Sequence, residues 1–195
     1  MKNVLSCAAT LICLVVSVAQ TTHATVIGFT GDFAPSNWST TLDGGDGYVN
    51  TSNAPTSIVI ASADDGDGNA RNTDFSIAMP FSGTVSFNWF YQTSDEGSVY
   101  DPFFVGIDGV FTKLTSNDQF SQLESGFYSG SILAGQILTL RANTTDSKFG
   151  RAETTVSNFQ AVSEPTSAVP EPTSMAIFGL GALGMAYRQR RHRKA

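Results

Sequence analysis

The chain has 195 residues, two cysteines, two histidines and a formal net charge of −6. Both cysteines and both histidines fall outside residues 25–168, so that stretch excludes Ser-His and Cys-His nucleophilic catalysis, the usual His/Cys zinc sites and a disulfide framework. Within it twelve Asp and four Glu stand against Arg71, Lys113, Arg141, Lys148 and Arg151, a balance that argues against nucleic acid and for solubility, cation binding or a charged matrix.

The first segment reads as a secretory signal that engages the Sec translocon. Lys2 supplies the positive charge, Val4 to Val18 the apolar stretch, and Thr22-His23-Ala24 a small residue at the cut with another two before it. Ser17-Val18-Ala19 is an alternative cut. Cleavage after Ala24 is preferred, because Thr25-Val26-Ile27-Gly28-Phe29 then opens the mature chain as a strand. Val4-Leu5-Ser6-Cys7 has the local look of a lipid-attachment site, but too little apolar chain precedes Cys7. Cys13 lacks the small residue that should come before it.

From Thr25 onward short apolar runs alternate with Gly, Asp, Asn and Ser clusters, and no long 3.6-residue period appears. Strands are predicted over Thr25–Phe29, Ser39–Leu42, Tyr48–Asn50, Ser57–Ser62, Thr73–Met79, Gly83–Tyr91, Phe103–Ile107, Val110–Leu114, Gly126–Leu133, Gln136–Ala142 and Ala152–Ala161. In Gly83–Tyr91 the residues Val85, Phe87, Trp89 and Tyr91 share one face, which predicts the central strand. Asp108-Gly109 predicts a type I′ hairpin turn, and Ala134-Gly135 a second tight connection. The expected fold is all-β, a two-sheet antiparallel β-sandwich or jelly roll over residues 25–162, followed by a polar spacer over 163–168.

The tail, residues 169–195, has three parts in fixed order. Val169-Pro170-Glu171-Pro172 is extended, since each Pro fixes its own φ and disfavours helix in the residue before it. The uncharged run Pro172 to Tyr187 is 16 residues long, or about 24 Å as a helix at ~1.5 Å per residue. That is a short transmembrane helix, helped across by snorkelling of its flanking cations. Arg188, Arg190, Arg191, Arg193 and Lys194 close the chain and hold the cytoplasmic side.

This order resembles the PEP-CTERM sorting signal. The resemblance implies a substrate of exosortase, a membrane-embedded cysteine protease-transpeptidase that cuts near the Pro-Glu-Pro and passes its substrate to the cell surface or the extracellular polymer. The mature segment, through Gly31-Asp32-Phe33-Ala34-Pro35-Ser36-Asn37-Trp38, Gly83-Thr84-Val85-Ser86-Phe87-Asn88-Trp89 and Asp101-Pro102-Phe103, also resembles a β-sandwich module found with such tails.

Three kinds of binding or catalytic residue can be nominated. Oxygen-bearing side chains alternate in Asp65, Asp67 and Asn69, the first three ligand positions of an EF-hand loop, although Ala70 and Ser76 break the remainder of that pattern; Asp43-Gly44-Gly45-Asp46-Gly47 is a second Asp/Gly loop. Trp38, Phe90, Tyr100, Phe103, Tyr128 and Phe149 are aromatics free to stack on sugar rings. Asp95, Glu96, Asp101, Glu124 and Glu153 are the carboxylates from which a glycosidase pair would have to be drawn. The expected function is a non-enzymatic, exported cell-surface or exopolysaccharide-matrix protein that passes through an inner-membrane intermediate and binds no cofactor, with calcium the one candidate ion. A carbohydrate-binding module, calcium-dependent if the Asp65 loop holds a cation, is the alternative, and a glycosidase a distant third.

Overall fold

The computed structural model describes residues 23–165 and 180–181. The expected signal helix, sorting motif, transmembrane helix and basic tail lie outside them. Among the described residues no helix is long and apolar enough to cross a membrane. Residues His23–Glu164 form one compact unit.

That unit is an all-β sandwich of two antiparallel sheets. Its strands are β1 (Thr25–Ile27), β2 (Ser39–Leu42), β3 (Tyr48–Asn50), β4 (Ser57–Ala61), β5 (Arg71–Ala78), β6 (Gly83–Thr93), β7 (Phe103–Ile107), β8 (Val110–Lys113), β9 (Leu123–Ile132), β10 (Ile137–Thr144) and β11 (Ala152–Ser163). One sheet runs β3-β4-β11-β6-β9, with β1 also on β11; the other runs β2-β5-β10-β7-β8.

Period-two alternation decides which faces meet. On β6, Val85, Phe87, Trp89 and Tyr91 are buried while Thr84, Asn88 and Phe90 are exposed. The predicted inward face is therefore the observed one. The middle of the sheet, however, is β11, which pairs with β6 along one edge and with β4 and then β1 along the other. Its register against β6 shifts between Ser157 and Gln160, and Asn158 has φ +51°. One extra residue flips the parity, so Ala152, Thr154 and Val156 face the core before the bulge, and Phe159 and Ala161 after it.

Asp108 (φ +48°) and Gly109 (φ +80°) form the predicted type I′ turn between β7 and β8. The tight connection at Ala134-Gly135 joins β9 to β10, which belong to different sheets, so it is a corner and not a hairpin. Gly126 sits opposite Trp89 on β9, where a Cβ would come within 2.7 Å of the indole; the missing side chain is what lets the ring lie over that strand.

Two 3-10 turns, Gly31–Phe33 and Pro35–Asn37, carry Phe33 and Trp38 into the core. Trp38 stacks on Phe75 with centroids 4.6 Å apart and planes 7° apart, and its Nε1 donates to the Phe33 carbonyl at 3.1 Å. Phe29 stacks on Phe159 at 5.0 Å. The stretch Gly31–Trp38 is thus core packing; Trp38 and Phe103, which the sequence left free for sugar stacking, are both buried.

An acidic loop end and its cleft

Five connections gather at one end of the sandwich: β2–β3, β4–β5, β6–β7, β8–β9 and β10–β11. They hold Asp43, Asp46, Asp64, Asp65, Asp67, Asp95, Glu96, Asp101, Asp118 and Asp146, ten of the sixteen carboxylates of residues 25–168. The charge asymmetry is thus concentrated at one pole, where local potential draws cations.

The two Asp/Gly loops are tied to each other and to the β10–β11 loop. The Asp64 N–H donates to Asp46 Oδ1 at 2.7 Å, and the Gly66 N–H to the Ser147 carbonyl at 2.8 Å. Within the Asp65 loop the carboxylates cap their own turns. Asp65 Oδ1 accepts the Asp67 N–H at 3.1 Å, and Asp67 Oδ1 accepts the Asn69 N–H at 2.7 Å. The remaining Asp67 oxygen accepts from Arg71 Nη2 at 2.5 Å. The Asn69 amide and the Arg71 guanidinium together hold the Asp67 carboxyl well below the usual carboxylate range. Arg151 pairs likewise with Asp46 at 2.5 Å. Of the nominated Asp65, Asp67 and Asn69, Asp67 is thus already charge-paired with Arg71, and Asp65 Oδ1 and Asp67 Oδ1 are engaged in the turns of their own loop. Among the described residues no three His, Cys, Asp or Glu side chains gather in a metal-holding group.

A separate cleft of about 360 Å³ opens between the β6–β7, β8–β9 and β10–β11 loops. It is lined by Ser94, Asp95, Glu96, Tyr100, Gln122, Asp146 and Phe149. Phe149 is 77% exposed and holds φ +68°, a left-handed backbone rarely taken by a bulky residue. Asp95 is 5% exposed; its Oδ1 accepts the Glu96 N–H at 2.6 Å, and its backbone is fixed by Thr93 and Gln122 side chains. Burial pushes the Asp95 carboxyl up, and Asp146, Glu96 and Asp64 add to that. No basic side chain lines the cleft.

Of the five nominated carboxylates only Asp95 and Glu96 share this cleft. Asp101 is 1% exposed beneath the same loop; Thr93 Oγ1 reaches its Oδ2 at 3.4 Å, and Oδ1 has no partner among the described residues. Burial pushes its carboxyl up to about 7. Burial would also raise Glu124, but donors from Ser98 and Ser116 outweigh it and hold that carboxyl below its usual range. Glu153 lies on β11 and accepts the Tyr48 hydroxyl at 2.5 Å. Of the nominated aromatics, Tyr100 and Phe149 line the cleft, Tyr128 packs half-buried on Phe87, and Phe90 stands exposed on β6 away from it. Asp146 is not among the nominated residues; the one sequence signal for it is its place in the short polar run Thr145–Lys148 that leads to the nominated Phe149.

Ala24, the residue before the preferred signal cut, lies beside the end of β11. Its N–H donates to Ser163 Oγ at 2.8 Å, and its carbonyl accepts the Ser163 N–H at 2.8 Å. Thr25 is the first residue of β1. The nominated sorting residues Val169, Pro170, Glu171 and Pro172, and the cations Arg188, Arg190, Arg191, Arg193 and Lys194, are outside the described residues.

Residues 168–191 match the PEP-CTERM protein-sorting motif. The chain therefore carries that motif, which implies processing by exosortase, export and sorting to the cell surface. No curated protein matches the chain. Among solved structures it is similar to the K3 adhesin domain of Lys-gingipain from Porphyromonas gingivalis (TM-score 0.45, 14% identity, covering 72% of this chain and 100% of that one). It is also similar to a family 35 carbohydrate-binding module from Clostridium thermocellum (TM-score 0.37, 12% identity, 72% and 99%). A family 29 carbohydrate-binding module complexed with cellulohexaose gives TM-score 0.40 at 7% identity, covering 77% and 98%. These likenesses concern the shape of the sandwich alone.

Proposed function

We propose that the protein is a non-enzymatic component of the cell surface or exopolysaccharide matrix, delivered through Sec, held in the inner membrane by its C-terminal helix and then handed on by exosortase. The observation that carries this reading is the order of its parts: a self-contained sandwich over residues 23–164, followed directly by a sorting motif over 168–191. Residue chemistry supports the non-enzymatic part of this reading. The mature segment has neither His nor Cys, and the five nominated carboxylates are dispersed, three of them outside the cleft. Asp101 and Glu124 serve internal hydrogen bonds, and Glu153 serves Tyr48.

Removing residues 169–195 tests the reading. The truncated protein is expected free in the medium, whereas the full chain is found on the surface. Retention of the truncated form at the surface would overturn it.

A second reading, a carbohydrate-binding module, is supported by one observation. Two aromatic rings, Tyr100 and Phe149, line a cleft that also offers carboxylate and amide groups, the mix by which a site stacks a sugar ring and orients its hydroxyls. A glycan array on the full chain separates the two readings, since a purely structural component selects no glycan.

A further inference from the structure

We propose that the cleft bounded by Asp95, Asp146, Tyr100 and Phe149 binds an amine-bearing sugar, the glucosamine type of residue whose amino group is free and cationic. The inference deepens the carbohydrate-binding reading and rests on it.

Asp95 is the central observation. It is 95% buried by its neighbours yet lines the cleft, and one carboxylate oxygen has no donor among the described residues. Asp146 Oδ1 accepts the Lys148 N–H at 3.1 Å and leaves its second oxygen uncommitted. Glu96 lies on the same wall. A carboxylate buried over most of its surface beside like charges is costly unless a cation arrives, and the uncommitted Asp95 oxygen is open to the cleft and not sealed in the core. At the neighbouring Asp65 loop that cation is built in as Arg71, and at Asp46 as Arg151. Here the lining contains none. The pole around the cleft, with ten carboxylates, attracts positive charge and repels anionic glycans.

Two features select an organic ammonium over a metal ion. The carboxylates do not gather on a common point, as a divalent ion of short coordination distance demands. Two aromatic rings share the cleft, and a ring face attracts both an ammonium group and the apolar C–H face of a pyranose. A volume of about 360 Å³ lies at the small end of ligand sites and suits one or two sugar residues. Phe149, exposed at the cleft, is then the wall against which the ring stacks. An uncharged acetamido sugar would bring no counter-charge to Asp95, so N-acetylation should abolish the preference.

The test is calorimetric titration of the full-length protein, in mild detergent, with glucosamine tetramer and with its fully N-acetylated counterpart. The free amine is expected to bind at least tenfold more tightly. Asp95→Asn and Phe149→Ala are each expected to weaken it fivefold or more, while Asp108→Asn, which removes a carboxylate at the opposite end of the sandwich, leaves it unchanged. Circular dichroism of each variant checks that it is folded; Phe149 is exposed and Asp95→Asn is isosteric, so both should be. Equal affinity for the two tetramers would overturn the proposal, as would unaltered binding by both cleft variants. Displacement of the sugar by millimolar Ca²⁺ alone would assign the cleft to a metal and overturn it too. Selective binding of the acetylated tetramer would refute the amine while leaving the carbohydrate-binding reading intact; binding of neither would end both.

Discussion

Asp101 offers the sharpest quantitative prediction. It is buried to 1% exposure, has one long hydrogen bond from Thr93 and no cation beside it, and its carboxyl is pushed up to about 7, first by burial and then by Asp95 and Asp146. In the unfolded chain the same group titrates near ~3.9. The folded state therefore binds the proton more tightly, and the stability this contributes is complete below pH ~4 and lost as pH rises towards 7. At ~1.36 kcal/mol for each tenfold change in proton affinity, the full loss is at most about 4 kcal/mol. Asp101→Asn keeps the shape and an acceptor oxygen but cannot ionise. At pH 4 variant and wild type should melt together. At pH 8 the variant should be more stable by about 2–4 kcal/mol, which for a domain of this size is roughly 10 °C in melting temperature. Thermal melts followed by circular dichroism from pH 4 to pH 8 measure the difference, in which other titrating groups cancel. A constant offset across that range, or a variant less stable than wild type at pH 8, would refute the reasoning.

Other consequences follow from the same contacts. Trp38→Ala should remove the stack on Phe75 and the bond to the Phe33 carbonyl, costing about 3–5 kcal/mol in urea denaturation; a loss under 1 kcal/mol would return Trp38 to the surface. Arg71→Ala should let the Asp67 carboxyl titrate closer to its ordinary range, since the guanidinium is one of the two groups that depress it; carboxyl chemical shifts across an acid titration report this. Stability that Asp67 contributes is present above its unfolded value and lost as pH falls, the opposite slope to Asp101, so the variant should lose less on acidification than wild type does.

The legible part of the fold was the strands themselves. All eleven are where alternation and turn residues put them, and Ser39–Leu42, Tyr48–Asn50 and Phe103–Ile107 agree to the residue. The reason is local: period-two burial and Asp/Gly punctuation act within a few residues. Sheet membership is not local. Ala134-Gly135 reads as a tight connection, and a corner between sheets uses the same residues as a hairpin within one, so the sequence does not say which sheets it joins. The centrality of β11 was missed because its strength lies in pairing three strands, a property of the partners. Its bulge did leave a trace, since buried Val156 and Phe159 are three apart where strict alternation allows two or four.

The cleft was legible in pieces. Asp95, Glu96, Tyr100 and Phe149 each stand out in the sequence by residue type, and all four line the cleft. Their meeting is not legible, because it depends on three loops, separated in sequence by the β7–β8 and β9–β10 strand pairs, converging at one end. The alternating Asp65, Asp67 and Asn69 have two physical readings: oxygen atoms at alternate positions suit Asx turns as well as cations, and Asp65 and Asp67 make such turns while Arg71, four residues on, pairs with Asp67.

The central claim, an exported sandwich separated from its signal and its tail, is tested most directly by the intact mass of the extracellular form. The expected species begins at Thr25 and ends at or near Val169–Pro172. An extracellular protein that still carries residues 173–195, or one that begins at Met1, would contradict it.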